Sequence, residues 1–477
     1  MTDPGIEARC QALREKLAPR DQMHVFRWWD ELDNAQRRHL LGQLESIAWD
    51  QLDPIIASHV RDAPKRDIPR DLRPAAVLPR VPDQHWLKRY RGAEKRARQL
   101  LKRGAVAAFT VAGGQATRLG VDVPKGTIPV TPVGDRSLFE LFAGMVWTAG
   151  AKYGSAVPWY IMTSEANHAA TVNYFREHNH FGLPPDDVTF FQQGMLPAFT
   201  RDGRLILDEK HSLAMAPDGH GGALKALVQS GAVRDMQKRG VEMISYFQVD
   251  NPLVKPFDPL FLGLHDEIGS EMSTKVARKA DDLERVGNVC MADGRVVVIE
   301  YSEFPEELAR ARNADGSRMF DAANLAIHVL GVDFVSRVAG ESFQLPFRRA
   351  EKAVPFVNES GRRVLPDRPN AVKLETFVFD ALPLAKNPLV LDTDRQEEFS
   401  PVKNATGPDS LETAKRDQVL RAVRWLSRAG VSVPRDSSGE PDLVVAISPR
   451  FALDSDDVKE KSHLVPPLRP GHRIYVE

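Results

Sequence analysis

Arg118 and Lys125 lie seven residues apart within residues 111–126, VAGGQATRLGVDVPKG, among Gly113, Gly114, Gly120 and Gly126. Glycines let backbone N–H groups approach a ligand closely, and successive N–H groups form a concave site for an anion. A guanidinium and an ammonium beside such a loop suit phosphate oxygens. The spacing is neither G-x-G-x-x-G nor G-x-x-x-x-G-K-[ST], so the loop is neither a dinucleotide fingerprint nor a P-loop. A glycine-rich turn carrying surface charges is the alternative reading.

Other stretches carry comparable chemistry. Asp250 follows the apolar run of SYFQVDNPLVKPFDP. A carboxylate there suits Mg²⁺, which binds through one or two carboxylates plus substrate phosphates. An Asx turn or helix cap before Asn251-Pro252 is equally consistent with it. In MAPDGHGGALKAL, Gly219, Gly221 and Gly222 lead into a helix whose N-terminus is a natural anion site. His220 within it can serve a sugar hydroxyl or a phosphate, or cap the helix. Lys373 and Lys403, in NAVKLETFVFDAL and EEFSPVKNA, read singly as surface lysines. There is no H-E-x-x-H, C-x-x-C or G-x-S-x-G, so zinc or serine hydrolysis is not expected. His178 and His180 in EHNHFG read as a surface turn.

The elements that must position these residues are an α/β alternation. The runs AVAAFTVA, VPWYIMT, VTFFQ, MISYFQV and RVVVIE read as strands, with helix-like stretches SLFELFAGMVWTAGAKYG and GALKALVQSGAVRDMQKRG between them. This predicts a mainly parallel, Rossmann-like central sheet covered by helices. Ligands of such sheets bind outside the carboxyl ends of the strands, where the first glycine loop and Asp250 fall. Residues 1–100 are expected to be an N-terminal helical region and linker, including HVFRWWDELDNAQRRHLLGQLESI and a segment, 63–83, with five prolines. KRYRGAEKRARQLLKRG reads as a solvated basic helix. Residues 101–391 form the expected catalytic domain, and 392–477 a small mixed C-terminal domain.

The 477 residues are 42% hydrophobic and 27% charged with a net charge of −1, so nothing in the balance points to nucleic acid or membrane. Two cysteines give no disulfide framework, and no run is long enough to span a bilayer. A cytoplasmic protein is expected.

Taken in order, VAGGQATRLGVDVPKG, FFQQGMLPAF, MAPDGHGG, VDNPLVKPFDPLFLG, VIEYSEF, KLETFVFDAL and EEFSPVKNA resemble the eukaryotic-type UDP-N-acetylglucosamine pyrophosphorylases. These belong to the wider UTP–sugar-1-phosphate uridylyltransferases, a nucleotidyltransferase fold of the GT-A-like kind. The similarity covers residues 111–405 and more weakly both ends. It implies that Val111, Ala112, Gly113 and Gly114 bind UTP base and phosphates, with Arg118 and Lys125 on the phosphates. It further implies that Gln193 and Gly219 contact uridine, that Asp250 binds nucleotide and metal, and that Lys373 contacts nucleotide. Glu300 and Tyr301 match sugar-contacting positions, and Lys403 a lysine reaching the sugar phosphate. Arg118, Lys125 and Lys403 would be the catalytic cations, and Mg²⁺, with Mn²⁺ as an alternative, the metal. The partners implied are UTP and a sugar 1-phosphate, with a monomer or weak homodimer as the assembly.

One position departs from the pattern. His220 in DGHGG stands where the N-acetylglucosamine enzymes carry asparagine, and glucose-specific relatives resemble it more closely there. The surrounding motifs favour N-acetylglucosamine 1-phosphate, with glucose 1-phosphate or a broad specificity as the alternative. A UDP-sugar glycosyltransferase would show a D-x-D, where this chain has Val249-Asp250-Asn251. A catalytically silent nucleotide-binding regulator would have no need to keep Arg118, Lys125, Asp250, Lys373 and Lys403 together.

Overall fold

The computed structural model describes residues 4–62, 69, 71–340 and 345–477. Part of the proline-rich segment, 63–68 and 70, lies outside the described residues. The chain forms two compact units: Ile68–Gln193, Leu224–Gln344 and Phe379–Glu477 make the larger, and Met1–Asp67, Gly194–Ala223 and Leu345–Val378 the smaller.

The larger unit is built on one sheet. Its strands are β1 (Val106–Val111), β2 (Trp159–Thr163), β3 (Val188–Gln192), β4 (Met243–Gln248), β5 (Met272–Arg278), β6 (Asn288–Ala292), β7 (Arg295–Ile299), β8 (Ala322–Gly331) and β9 (Leu389–Asp392), with the two-residue strand Arg73–Pro74 beside β6. On one side β4, β1, β2 and β3 are neighbours, in that order, and all parallel. Strands β1 and β2 are buried along almost their whole length, as strands covered on both faces must be, which is why they read as unbroken apolar runs. The other side carries the sheet's antiparallel pairs. Strand β8 runs antiparallel to β4, β5 and β6, β6 and β7 form an antiparallel pair, and β5 meets β9 in parallel. The sheet is therefore mixed, with its parallel half carrying the first glycine loop.

Local chemistry sets the helix ends. Ser137 accepts from the N–H of Glu140 at the start of Leu138–Tyr153, and Gly154 ends that helix in the left-handed region. The stretch 222–240 is two helices, Gly222–Gln229 and Ala232–Lys238, because Gly231 sits between them at φ +83°. In the C-terminal region, the helix Leu411–Arg428 and the parallel strands Leu443–Ile447 and His472–Val476 share an apolar cluster that includes Val423, Leu426, Val445, Phe451 and Val476.

In the smaller unit the helices Pro4–Leu17, Asn34–Ser46 and Trp49–Ile55 pack with two segments from mid-chain. Residues 23–31, expected to be helical, form short 3₁₀ turns before Asp33 and Gln36 start the helix Asn34–Ser46 with a capping box. Phe199 and Val372 exchange backbone hydrogen bonds of 2.9 and 2.7 Å and are wholly buried among Leu17, Leu40, Leu44 and Trp49. The units thus cut across the contiguous division at 100 and 391. Residues 194–223 and 345–378 supply the apolar surface that the N-terminal helices need, and 392–477 belong with the sheet. Among the described residues, no helix is long and apolar enough to cross a membrane.

Candidate active site

The first glycine loop begins where β1 ends. Ala112 N–H donates to Met162 O at 2.7 Å and Val249 N–H to Val111 O at 3.0 Å, so both neighbouring strands pin its entry. Gly113 lies against Gln193, whose Oε1 would stand 2.8 Å from any added Cβ. Gln193 is in turn held by its own N–H on Thr163 O at 2.8 Å. The N–H groups of Gly113, Gly114 and Gln115 find no acceptor among the described residues. Three successive open donors are the kind of feature that a backbone anion site requires.

The other two glycines do different work. Gly120 closes the turn Thr117–Leu119 at φ +83°. A Cβ on Gly126 would fall 2.1 Å from the Phe139 ring, so this glycine permits packing rather than ligand approach. Arg118 is exposed and, among the described residues, its side chain makes no hydrogen bond or ion pair.

Lys125 and Asp250 are brought together: Nζ stands 4.0 Å from Oδ2, with both side chains largely shielded from solvent. The Asp250 carbonyl accepts from Val402 N–H at 2.8 Å. Beside it, buried Asn251 donates to Glu398 O at 2.7 Å and accepts from Ser400 N–H at 3.1 Å. These bonds tie the segment leading to Lys403 to the end of β4. Glu398 is itself fixed by Lys275 Nζ at 2.6 Å and Thr393 Oγ1 at 2.6 Å. Lys275 is completely buried, yet Asp258 and Glu398 hold its ammonium above the usual lysine range against the pull of desolvation. Lys403 Nζ lies 5.6 Å from the Phe399 ring centroid. Past β7, Glu300 is half-buried beside Gly287, whereas Tyr301 is 46% exposed.

The smaller unit carries Gly219, His220 and Lys373. Gly219 takes φ +83°, and a Cβ there would meet Thr376 O at 2.3 Å. Gly221 N–H donates to Thr376 O at 2.8 Å, and Thr376 N–H to Asp218 O at 2.8 Å, which knots the loop to residues 376–378. The His220 ring stacks on Phe377 with centroids 5.0 Å apart and planes 11° from parallel. Its Nδ1 accepts from Val378 N–H at 3.1 Å. Burial, with the nearby Arg348 guanidinium, pushes the imidazole down to about 4. His220 is therefore neutral, and with Nδ1 accepting, its proton sits on Nε2 as a donor. Lys373, mid-strand in Ala371–Glu375, is lowered from the ordinary lysine value by burial, with Glu375 opposing and Lys352 adding to the effect.

Among the described residues, no group of three or more His, Cys, Asp or Glu side chains could hold a metal unaided. Asp250 is a lone carboxylate, the donor set that suits a magnesium ion completed by phosphate oxygens. A cavity of about 450 Å³ near Arg278 and Arg318, and one of about 250 Å³ near Lys255 and Trp425, lie in the larger unit; neither includes Lys125, Asp250 or Lys403.

The family model described as UTP–glucose-1-phosphate uridylyltransferase (UDPGP) matches residues 66–419, well over half of the chain. The chain belongs to this family. Among UDPGP relatives, a Homo sapiens protein named UDP-N-acetylhexosamine pyrophosphorylase-like protein 1 is 38% identical over 484 residues, covering 94% of each chain. The Saccharomyces cerevisiae UDP-N-acetylglucosamine pyrophosphorylase is 33% identical over 457 residues, covering 92% of this chain and 94% of its own. The crystal structure of the Trypanosoma brucei uridine diphosphate N-acetylglucosamine pyrophosphorylase superposes with a TM-score of 0.81 over 98% of both chains. At 24% identity that likeness speaks for the fold alone. The family resemblance read from the ordered motifs is thus borne out. Sequence reasoning missed Asn251, which reads as a turn residue before proline, and Asn167, which follows β2.

Proposed function

We propose that this UDPGP family member is a uridylyltransferase joining UTP and N-acetylglucosamine 1-phosphate into the UDP-sugar with release of pyrophosphate. The observation that carries the reading is the run of open N–H groups at Gly113, Gly114 and Gln115, in one loop with Lys125, whose Nζ faces Asp250. The names of the human and yeast relatives favour the N-acetylated sugar.

In the reaction a phosphate oxygen of the sugar 1-phosphate attacks the α-phosphorus of UTP. The bond from that phosphorus to the β-phosphate bridge breaks, and the electron pair leaves with pyrophosphate. Such chemistry depends on alignment and charge neutralisation, and no covalent intermediate is required. The open N–H groups would hold phosphate oxygens, and Lys125 and Arg118 would neutralise the departing pyrophosphate. Lys403 would take the sugar phosphate, held in place by the bonds of Asn251 to the 398–400 backbone. Asp250 would bind Mg²⁺, which when bound withdraws charge from the phosphate oxygens. Gln193, Gly219 and Lys373 as nucleotide contacts, and Glu300 and Tyr301 as sugar contacts, rest on the motif match. Cytoplasmic residence accords with two buried free cysteines, and a monomer or weak homodimer completes the proposal.

His220 favours a second reading. A neutral imidazole offers one donor, Nε2–H, where an asparagine offers both donor and acceptor, so recognition of a glucose hydroxyl is the competing specificity. Pyrophosphate release from UTP and Mg²⁺, with a panel of sugar 1-phosphates and a no-sugar control, tests both. Turnover led by N-acetylglucosamine 1-phosphate supports the first reading, turnover led by glucose 1-phosphate the second, and release without any sugar contradicts both.

A further inference from the structure

We infer that Asn167 is a positioning residue that sets the first glycine loop to receive phosphate, an inference resting on the phosphate reading of that loop. Asn167 is completely buried and occupies the N-cap of the helix His168–Glu177, yet its side chain caps nothing in that helix. Asparagine is favoured at N-caps because it satisfies the free N–H groups of the first turn. Here the amide instead reaches back 55 residues in sequence. Its Nδ2 donates to Ala112 O at 2.9 Å and to Gly114 O at 3.3 Å, while Oδ1 accepts from Ser164 N–H at 2.8 Å.

The consequence follows from peptide geometry. In a trans peptide the C=O and the following N–H point in opposite directions, and no peptide of this chain is cis among the described residues. Holding Ala112 C=O toward Asn167 turns Gly113 N–H away from it. Holding Gly114 C=O does the same for Gln115 N–H. These are two of the three donors that lack an acceptor among the described residues. One buried amide therefore aims both flanking donors of the anion site. Lys125 N–H, on the same Gly114 carbonyl at 3.1 Å, couples the catalytic cation to that setting.

Asn167→Ser and Asn167→Asp make the test. The helix start does not depend on this side chain, which caps nothing there, and neither replacement has the amide N–H pair that reaches the two carbonyls. Calorimetric titration with UTP and, separately, with inorganic pyrophosphate is the readout, beside melting curves and the KM for each substrate. Expected is a loss of about tenfold in affinity for both ligands, the effect of about 1.4 kcal/mol of lost interaction. The KM for sugar 1-phosphate should move less than twofold. Thr171→Ala, a buried change in the same helix at a hydroxyl that bonds to nothing in the loop, should leave both affinities unchanged. Wild-type affinity in both Asn167 variants, or an equal loss in Thr171→Ala, overturns the role of Asn167. A wild-type protein that binds neither UTP nor pyrophosphate overturns the phosphate reading itself.

Discussion

Two glycine-rich loops carry the proposed chemistry of this chain, and they are built in opposite ways. In the loop 111–126 the backbone is held open: Gly114 has nothing within 4 Å of where a Cβ would be, and three N–H groups there lack acceptors among the described residues. In the loop 217–222 the backbone is closed. Added Cβ atoms would strike Thr376 from Gly219, Phe377 from Gly221 and the Asp218 carboxylate from Gly222, all at 2.6 Å or less. The first loop offers its own main chain, whereas the second fixes a side chain, His220, in one tautomer. Similar glycine content thus leaves the backbone open in one unit and packs it tightly in the other.

The sharpest way to break this contrast is at the cation of the open loop. Lys125→Ala should lower turnover by about 10²–10³-fold, the scale expected when a transition state is deprived of one preorganised charge. Its melting temperature should change little, because at 4.0 Å the pair makes no hydrogen bond. Steady-state kinetics beside a melting curve checks both, and near-wild-type turnover would remove Lys125 from the mechanism.

Next in size, Gly219→Ala should destabilise by about 3 kcal/mol, combining left-handed strain with overpacking against Thr376. Denaturant unfolding measures this. A cost below about 0.5 kcal/mol would show that the second loop is not closed.

His220 supplies a smaller, pH-dependent effect. Its folded value near 4 lies below the ordinary 6.5, so between those values the unfolded chain binds the proton and the folded chain does not. Its contribution to stability is complete above 6.5 and is lost as pH falls toward 4. The melting temperature should decline across that window, and His220→Asn should flatten part of the decline. The flattening is partial because buried His265, lowered to about 3, acts in the same sense. The same variant should change the ratio of kcat/KM for the two sugar 1-phosphates by about tenfold, the worth of one hydrogen bond.

Smallest is Gly114→Ala. With open space and no positive φ, it should change stability by less than about 0.5 kcal/mol while weakening UTP binding. Titration and melting together separate the two effects, and unaltered UTP affinity would count against backbone recognition.

Much of this arrangement is legible in the sequence. The parallel strands announce themselves because burial on both faces demands runs such as AVAAFTVA, and the loops follow them directly. Strand β8 gives no such signal. Its residues AANLAIHVLG suit a strand but say nothing of direction, so the antiparallel half of the sheet stays hidden. The smaller unit is illegible for another reason: Phe199 and Val372 complete the N-terminal core from far along the chain, and sequence periodicity carries no record of such pairing. Within the site, Lys125 and Asp250 are readable from type and context. Asn167 is not, because an asparagine between strand and helix reads as a cap, and only the folded chain shows that its amide serves another loop. Gly126 misleads for a similar reason, since a glycine made necessary by the Phe139 ring looks the same in sequence as one that meets a ligand.

On the proposed reading the open loop, its cations and the lone carboxylate serve direct displacement, and the stereochemistry of transfer reports on this without reference to any variant. UTP made chiral at the α-phosphorus by a single sulfur substitution would be converted with N-acetylglucosamine 1-phosphate, and the configuration of the UDP-sugar determined by phosphorus NMR. One in-line attack inverts that centre, and inversion is the expected result. Retention would require two displacements through a uridylylated side chain, and would contradict a mechanism built on positioning and charge alone.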